Sequence, residues 1–334
     1  MSGDEGRLDR PPPPARLARL PAVLHRRYLI GVDTEEEFDW GRRRQWLSYG
    51  VSAAQAIPAM HRRFVDAGAR PIYLVDYPIA DAPDAVAAVS EALEHGGAEI
   101  GAQLHPWVTP PKGLGSTFAG ALPEADEEAK IAALVARIEA AFGIGPVIYR
   151  AGRYGVGPNS AEILLRHGFA LDLSPRPLFN YAREGGVDFR RFGPHPFRAG
   201  RGGELLVQPL GVALTGALRG GGWRLYAALA KAPFGLSFAA RARLLSRVAL
   251  TPEGMPFADA AEAVRLMLGE GVPILSFAFH SPSLVPGNTP YVRDQGDLAA
   301  FHRWWDAMFG LLARLGVSAI SGGELIAGAR AMRD

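Results

Sequence analysis

Cysteine is absent from the 334 residues. No disulfide, thiolate metal ligand or cysteine nucleophile can therefore take part in the chemistry, although the redox compartment stays open. A large charge excess is also missing. The 36 Lys and Arg face 34 Asp and Glu, a formal balance of +2. That is too small to argue for nucleic acid, even with an isoelectric point near 9.0. The basic residues gather locally, at Arg42, Arg43 and Arg44, at Arg190 and Arg191, and at Arg241, Arg243 and Arg247. Each cluster reads first as a solvated face and second as a contact for an anionic partner. No apolar run reaches bilayer-spanning length, so no transmembrane segment is expected. Residues 1–20 carry Pro11, Pro12, Pro13 and Pro14 among charges and lack the apolar stretch of a signal peptide. The reading is a disordered tail over residues 1–23 on a cytoplasmic protein.

What is present is a recurrent pattern. Short apolar runs stop at chemically capable side chains: Tyr28-Leu29-Ile30-Gly31-Val32 at Asp33, and Pro71-Ile72-Tyr73-Leu74-Val75 at Asp76. The runs at 98–104, 147–149, 169–171, 205–207 and 274–279 end at His105, Arg150, Asp172, Gln208 and His280. Continuous apolar runs of this length suit strands buried on both faces, and helix-like sequence between them suits an α/β fold with a parallel sheet. Helices are expected over 53–67, 84–94, 124–142, 160–167, 258–268 and 298–315, several of them ending at a glycine. The rhythm fits one barrel-like domain over residues 24–334. An insertion around 177–256 breaks it, with a strand expected at 205–210 and a helical piece over 223–248. Within 225–250, apolar and basic residues mix; the primary reading is core packing, with membrane-surface contact as the alternative. In such folds the active site lies at the carboxyl ends of the strands, so the seven terminal side chains read as one rim.

The densest chemical signal is Asp33-Thr34-Glu35-Glu36-Glu37-Phe38-Asp39-Trp40. Crowded acids need a cation or a proton. One carboxylate can then serve as base and another as metal ligand. In Gly101-Ala102-Gln103-Leu104-His105-Pro106-Trp107, Gln103 and His105 share a face if the strand persists, and Trp107 can wall a sugar site. In Tyr149-Arg150-Ala151-Gly152-Arg153-Tyr154, Arg150 can hold a carboxylate ionised. Leu171-Asp172-Leu173-Ser174 and Phe279-His280-Ser281 complete the series. An imidazole at the end of an apolar strand suits a general acid.

The order of these motifs resembles the polysaccharide deacetylases of the NodB-homology type (carbohydrate esterase family 4), and within them the WalW-like branch. The match runs over residues 28–281. The resemblance implies a distorted seven-stranded (β/α) barrel and a hydrolase that removes acetyl groups from a carbohydrate. It implies Asp33 as the base, Arg150 as its orienting cation, His280 as the acid and Asp172 as the group that tunes it. It implies a divalent metal, zinc or similar, on Glu35, His105 and the Gln103 position, where the family has a histidine. Trp107, Arg153 and Tyr154 fall where substrate would bind. Glu36 remains an alternative to Glu35 as the acidic ligand.

Two other classes stay open: a metal-independent amidohydrolase of a small cyclic amide, and a non-catalytic carbohydrate-binding protein. The expected partner is an acetylated carbohydrate. With no leader seen, it would be a lipid-linked or nucleotide-linked precursor.

Overall fold

The computed structural model describes residues 6–38, 48–113, 115–232 and 234–332. Asp39, Trp40 and the cluster at Arg42, Arg43 and Arg44 lie outside the described residues. The strands in chain order are β1 (Arg27–Thr34), β2 (Pro71–Val75), β3 (Glu99–Leu104), β4 (Ile148–Ala151), β5 (Leu171–Asp172), β6 (Phe197–Ala199), β7 (Leu205–Val207), β8 (Val212–Thr215), β9 (Ser246–Ala249), β10 (Ile274–His280) and β11 (Ser318–Ala319). All seven apolar runs became strands: β1, β2, β3, β4, β5, β7 and β10. They lie side by side in the order β10-β1-β2-β3-β4-β5-β7 and pair in parallel throughout.

The α/β class and the curled, parallel-rich sheet are as expected, but the strand count and closure differ. β6 adds antiparallel to β7 at the end of an open path of eight strands, and β11 pairs with β1 as a ninth strand off that path. The seam beside β10 is filled by chain outside the sheet. The Gly211 N–H donates to the Ser276 carbonyl at 2.8 Å, the Leu250 N–H to the Gly211 carbonyl at 2.8 Å, and the Ala278 N–H to the Leu250 carbonyl at 3.2 Å. Glycine is required there, because a Cβ on residue 211 would lie 2.5 Å from the Leu250 side chain and 2.8 Å from the Ser276 oxygen.

The helices are α1 (Ile57–Asp66), α2 (Tyr77–Asp81), α3 (Pro83–Glu94), α4 (Glu124–Phe142), α5 (Ser160–Arg166), α6 (Gly222–Leu229), α7 (Gly235–Arg241), α8 (Phe257–Gly269), α9 (Gln295–Arg314) and α10 (Gly322–Arg330). α4 has the expected bounds. Glu124, Asp126 and Glu127 complement the dipole of its first turn, and Gly143 ends it with φ 67°. In α9, Trp304, Trp305, Met308, Leu311 and Leu312 form the buried face. The Trp305 ring meets Phe64, Phe277, Phe279 and Phe309 at 5.3–5.9 Å between centroids. Trp305→Ala would cost about 3–5 kcal/mol. Among the described residues no helix is long and apolar enough to cross a membrane.

Two expectations fail outside the sheet. The described part of the tail, residues 6–23, is a strap and not a disordered segment. Leu8 and Leu20 are buried, Leu17 bridges to Phe197 of β6, and the Ala18 N–H donates to the Pro196 carbonyl at 2.9 Å. Its prolines restrict the unfolded chain, so little entropy opposes docking by the few apolar anchors. The helical piece over 223–248 is also broken, into α6, α7 and then β9, which pairs antiparallel with β8. Core packing does not describe its helices. α6 buries no residue, and α7 buries Ala239 alone among its described positions.

Candidate active site

Sheet order sets the order of the strand-end side chains. β1 and β10 are in register, so Asp33 lies opposite His280. β3 and β4 place Gln103 opposite Arg150. These residues, with Glu35 and His105, open into a cavity of about 330 Å³ at the carboxyl ends of the strands. Phe38, Trp107, Arg153, Tyr154, Arg176, Tyr181, Glu253 and Tyr291 also line it.

Asp33 is held between two cations. Its Oδ1 accepts from the buried Arg150 Nη1 at 2.5 Å, and its Oδ2 faces His280 Nε2 at 3.6 Å. Arg150 is fixed in turn by donating from Nε to the Leu173 carbonyl at 3.1 Å. The far side of the imidazole belongs to Glu253. His280 Nδ1 lies 2.7 Å from Glu253 Oε2, and the His280 backbone N–H donates to Oε1 at 3.0 Å. Ser283 Oγ donates to the same oxygen at 2.5 Å. Burial opposes charge on His280, but Glu253, Glu35 and Asp33 outweigh it and push its pKa up to about 10. At neutral pH the imidazole therefore carries a proton it can give away.

Beside this pair, Glu35 Oε2 accepts from Gln103 Nε2 at 3.2 Å and lies 3.4 Å from His105 Nε2. Glu35 Oε1 and Gln103 Oε1 are buried and have no hydrogen-bond partner. Burial raises Glu35 to about 8, reinforced by Asp33 and Glu36 against the pull of His280 and His105. Behind it lies a closed group. His105 Nδ1 is 2.7 Å from Glu36 Oε2, and Trp107 Nε1 donates to Glu36 Oε1 at 2.8 Å. Asp76 caps α2 by accepting from the Ile79 N–H, and its other oxygen takes the Glu36 N–H, both at 2.9 Å. Burial pushes both Glu36 and Asp76 up. The bond to Glu36 holds the His105 ring with Nε2 toward Glu35. Gly152 allows β4 to end against that ring, since a Cβ there would lie 2.2 Å from His105 Cδ2.

The sequence expectations meet this geometry unevenly. Asp33, Glu35, Gln103, His105, Trp107, Arg150, Arg153, Tyr154 and His280 all line the cavity. Trp107 does not present a free face to it. It is buried and stacks on His105 at 4.3 Å. Arg153 and Tyr154 follow β4 with φ 54° and 59°, left-handed values that hold both side chains at the cavity wall at a cost of about 1–3 kcal/mol each. Arg153 pairs with Glu184, and Tyr154 stacks on Tyr181 at 5.7 Å. Asp76, Asp172 and Gln208 do not line the cavity, so four of the seven strand ends form the rim, not all seven. Asp172 does not sit on His280. It accepts from Ser174 Oγ at 2.5 Å and the Ser174 N–H at 3.3 Å, and burial raises it to about 7.

Glu253, which takes the place expected of Asp172, was missed. Its signal was available: Arg247-Val248-Ala249-Leu250 is one more short run, ending at Thr251-Pro252-Glu253. Arg176, Tyr181 and Tyr291 were missed as cavity walls and carry no local motif.

No family model matches the sequence, and no curated protein matches it. Among solved structures, one from Mycobacterium smegmatis named as a polysaccharide deacetylase superposes with a TM-score of 0.50 at 17% identity, covering 84% of this chain and 79% of its own. A family 4 carbohydrate esterase from Streptomyces lividans gives 0.32 at 15% identity, over 44% of this chain and 61% of its own. An allantoinase gives 0.48 at 15% identity, over 87% and 86%. At such identities the likeness is one of fold, and the first match sets the curled sheet among barrels of the polysaccharide deacetylase type.

Proposed function

We propose that this chain is a hydrolase that removes acetyl groups from a carbohydrate, as the WalW-like deacetylase motifs imply. The observation that carries the reading is the pair Asp33 and His280, in register on adjacent strands in a cavity and braced from behind by Arg150 and Glu253. Asp33, paired with Arg150, takes a proton from water. The water oxygen attacks the acyl carbon, and the C–N or C–O bond breaks. His280 gives its proton to the departing nitrogen or oxygen, leaving acetic acid and the free sugar group. Arg153 and Tyr154 wall the sugar side of the cavity.

The residues present fit a divalent metal. Two buried acceptor oxygens, Glu35 Oε1 and Gln103 Oε1, lack partners, and His105 Nε2 lies 3.4 Å from the other Glu35 oxygen, its ring held from behind by Glu36. These three residues would hold the ion, which when bound supplies polarisation of the acyl oxygen. Glu36 is the poorer ligand candidate, because both of its oxygens are already engaged. The neutral Gln103 favours a second reading, a metal-independent amidohydrolase built on the same Asp33 and His280.

Hydrolysis of a chromogenic acetyl ester and of acetylated oligosaccharides tests the reading, with and without chelator and added zinc. Turnover lost in Asp33→Asn and in chelator, and restored by zinc, is expected. Turnover that survives chelation would favour the second reading. Turnover that survives Asp33→Asn would end both.

A further inference from the structure

The segment between Glu204 and Glu253 contains no acidic residue in 48 positions, yet it holds six basic ones: Arg219, Arg224, Lys231, Arg241, Arg243 and Arg247. The first five are exposed, and none has an ion pair among the described residues. In the same hairpin, Phe234 is 85% exposed and Phe238 is 68% exposed. Two such rings open to water are unusual on a solvated face. They are not scattered. Phe234 caps α7, and the Phe238 N–H bonds to its carbonyl at 2.8 Å, so Phe234, Phe238 and Arg241 follow the spacing of one helix face. Leu218, 45% exposed, lies in the adjoining turn and is tied to Leu244 through its backbone.

We infer that α6, α7 and their connecting turns form a docking surface for an anionic membrane. The phenylalanines would enter the acyl boundary, and the cations would meet lipid phosphates. The charge pattern selects this occupant, because a neutral partner would leave five exposed cations unanswered. The surface is also joined to the cavity. The Arg247 guanidinium lies 5.0 Å from the Tyr226 ring of α6 and 3.5 Å from the Phe179 ring. Phe179 stacks on Tyr181 at 6.3 Å, and Tyr181 lines the cavity. The proposed surface therefore packs against the wall of the cavity that holds Asp33. The substrate class that fits is an acetylated sugar borne on a lipid, a clause that rests on the hydrolase reading above.

Flotation of the full chain with vesicles tests the surface without any catalysis. Vesicles of phosphatidylcholine alone are compared with vesicles that contain about 30 mol % phosphatidylglycerol. The expected result is binding to the anionic vesicles alone, weakened by salt. It should fall at least about tenfold in the double variant Phe234→Ser, Phe238→Ser. That variant should keep wild-type turnover of a soluble acetyl ester, which shows it is folded. Equal binding to both vesicle types, no binding, or full binding by the double variant would overturn the inference. If vesicles bind but the wild-type chain hydrolyses no acyl group, the docking surface stands and the lipid-borne substrate falls with the hydrolase reading. Absent binding beside normal ester hydrolysis would strike the docking surface and the lipid-borne substrate and leave the hydrolase reading in place.

Discussion

Two groups of two carboxylates and one histidine lie side by side at the carboxyl ends of the strands: Asp33, Glu35 and His280, and Glu36, Asp76 and His105. In each, the ligand atoms fall within 4.8 Å of one another. Their composition is the same and their condition is not. In the second group every carboxylate oxygen with a stated role is spent on a neighbour: His105, Trp107, the Ile79 N–H or the Glu36 N–H. In the first, Glu35 Oε1 has no partner and the step from Asp33 to His280 is a loose 3.6 Å. A satisfied buried network is rigid, and an unsatisfied one has something left to bind. Identical residue types thus divide into a frame and a reactive face according to where the hydrogen bonds go.

Substituting Asp33 by Asn should separate the two groups most sharply. An amide cannot take the proton, so kcat/KM should fall at least about a thousandfold, and because the buried Arg150 loses its carboxylate partner the thermal midpoint should fall as well. Next in size is Glu253→Gln, for which steady-state kinetics should show about a hundredfold loss together with a displaced pH profile. The sign follows from charge. His280 acts as an acid while protonated, so wild-type kcat/KM should decline as pH rises through about 10. Removing the Glu253 carboxylate favours the neutral ring, and the alkaline limb should move to lower pH. A limb that stays in place would mean that His280 is not the acid.

Glu36→Gln probes the frame. An amide oxygen cannot serve both the His105 and Trp107 donors, so the variant should lose about 1–3 kcal/mol of stability by denaturant unfolding. Zinc affinity by titration calorimetry should fall roughly ten- to a hundredfold through the loosened His105. If Glu36→Gln instead abolished turnover with no change in stability, the division into frame and reactive face would be wrong. Asp172→Asn should have the smallest effect, a change in kcat/KM within about twofold. Its effect should appear in pH-dependent stability. The carboxyl is raised from 3.8 to about 7 by burial, so the folded chain binds the proton more tightly. Stability then falls as pH rises between those values and levels off above them. The Asn variant should lack that share of the slope.

The chemistry on the regular strands was legible because apolar runs and their last residues are local facts. Asp33, Arg150 and His280 could each be placed at a strand end from a handful of neighbours. What needed the folded chain was partnership. Asp172 and Glu253 both follow short runs, but the choice of which reaches His280 is made by the β8–β9 hairpin as it crosses beside β10. Arg243 and Arg247 hid that strand, since alternation of Arg with Ala and Leu suits a helix equally well. The split between Glu35 and Glu36 is also invisible locally. It depends on Trp107 and on Asp76, 40 residues away from Glu36. The strap over residues 6–23 was masked by its prolines, which read as disorder until Leu8 and Leu20 find their pockets.

That strap bears on a hazard of an open sheet. A path of strands that does not close leaves two rows of backbone donors and acceptors, each a template for another chain. Here neither row is offered. Gly211 and Leu250 occupy the side of β10, and Leu17 with Ala18 lies along β6. The molecule gains what a closed barrel has, protection from strand-to-strand polymerisation, without a continuous ring of strands.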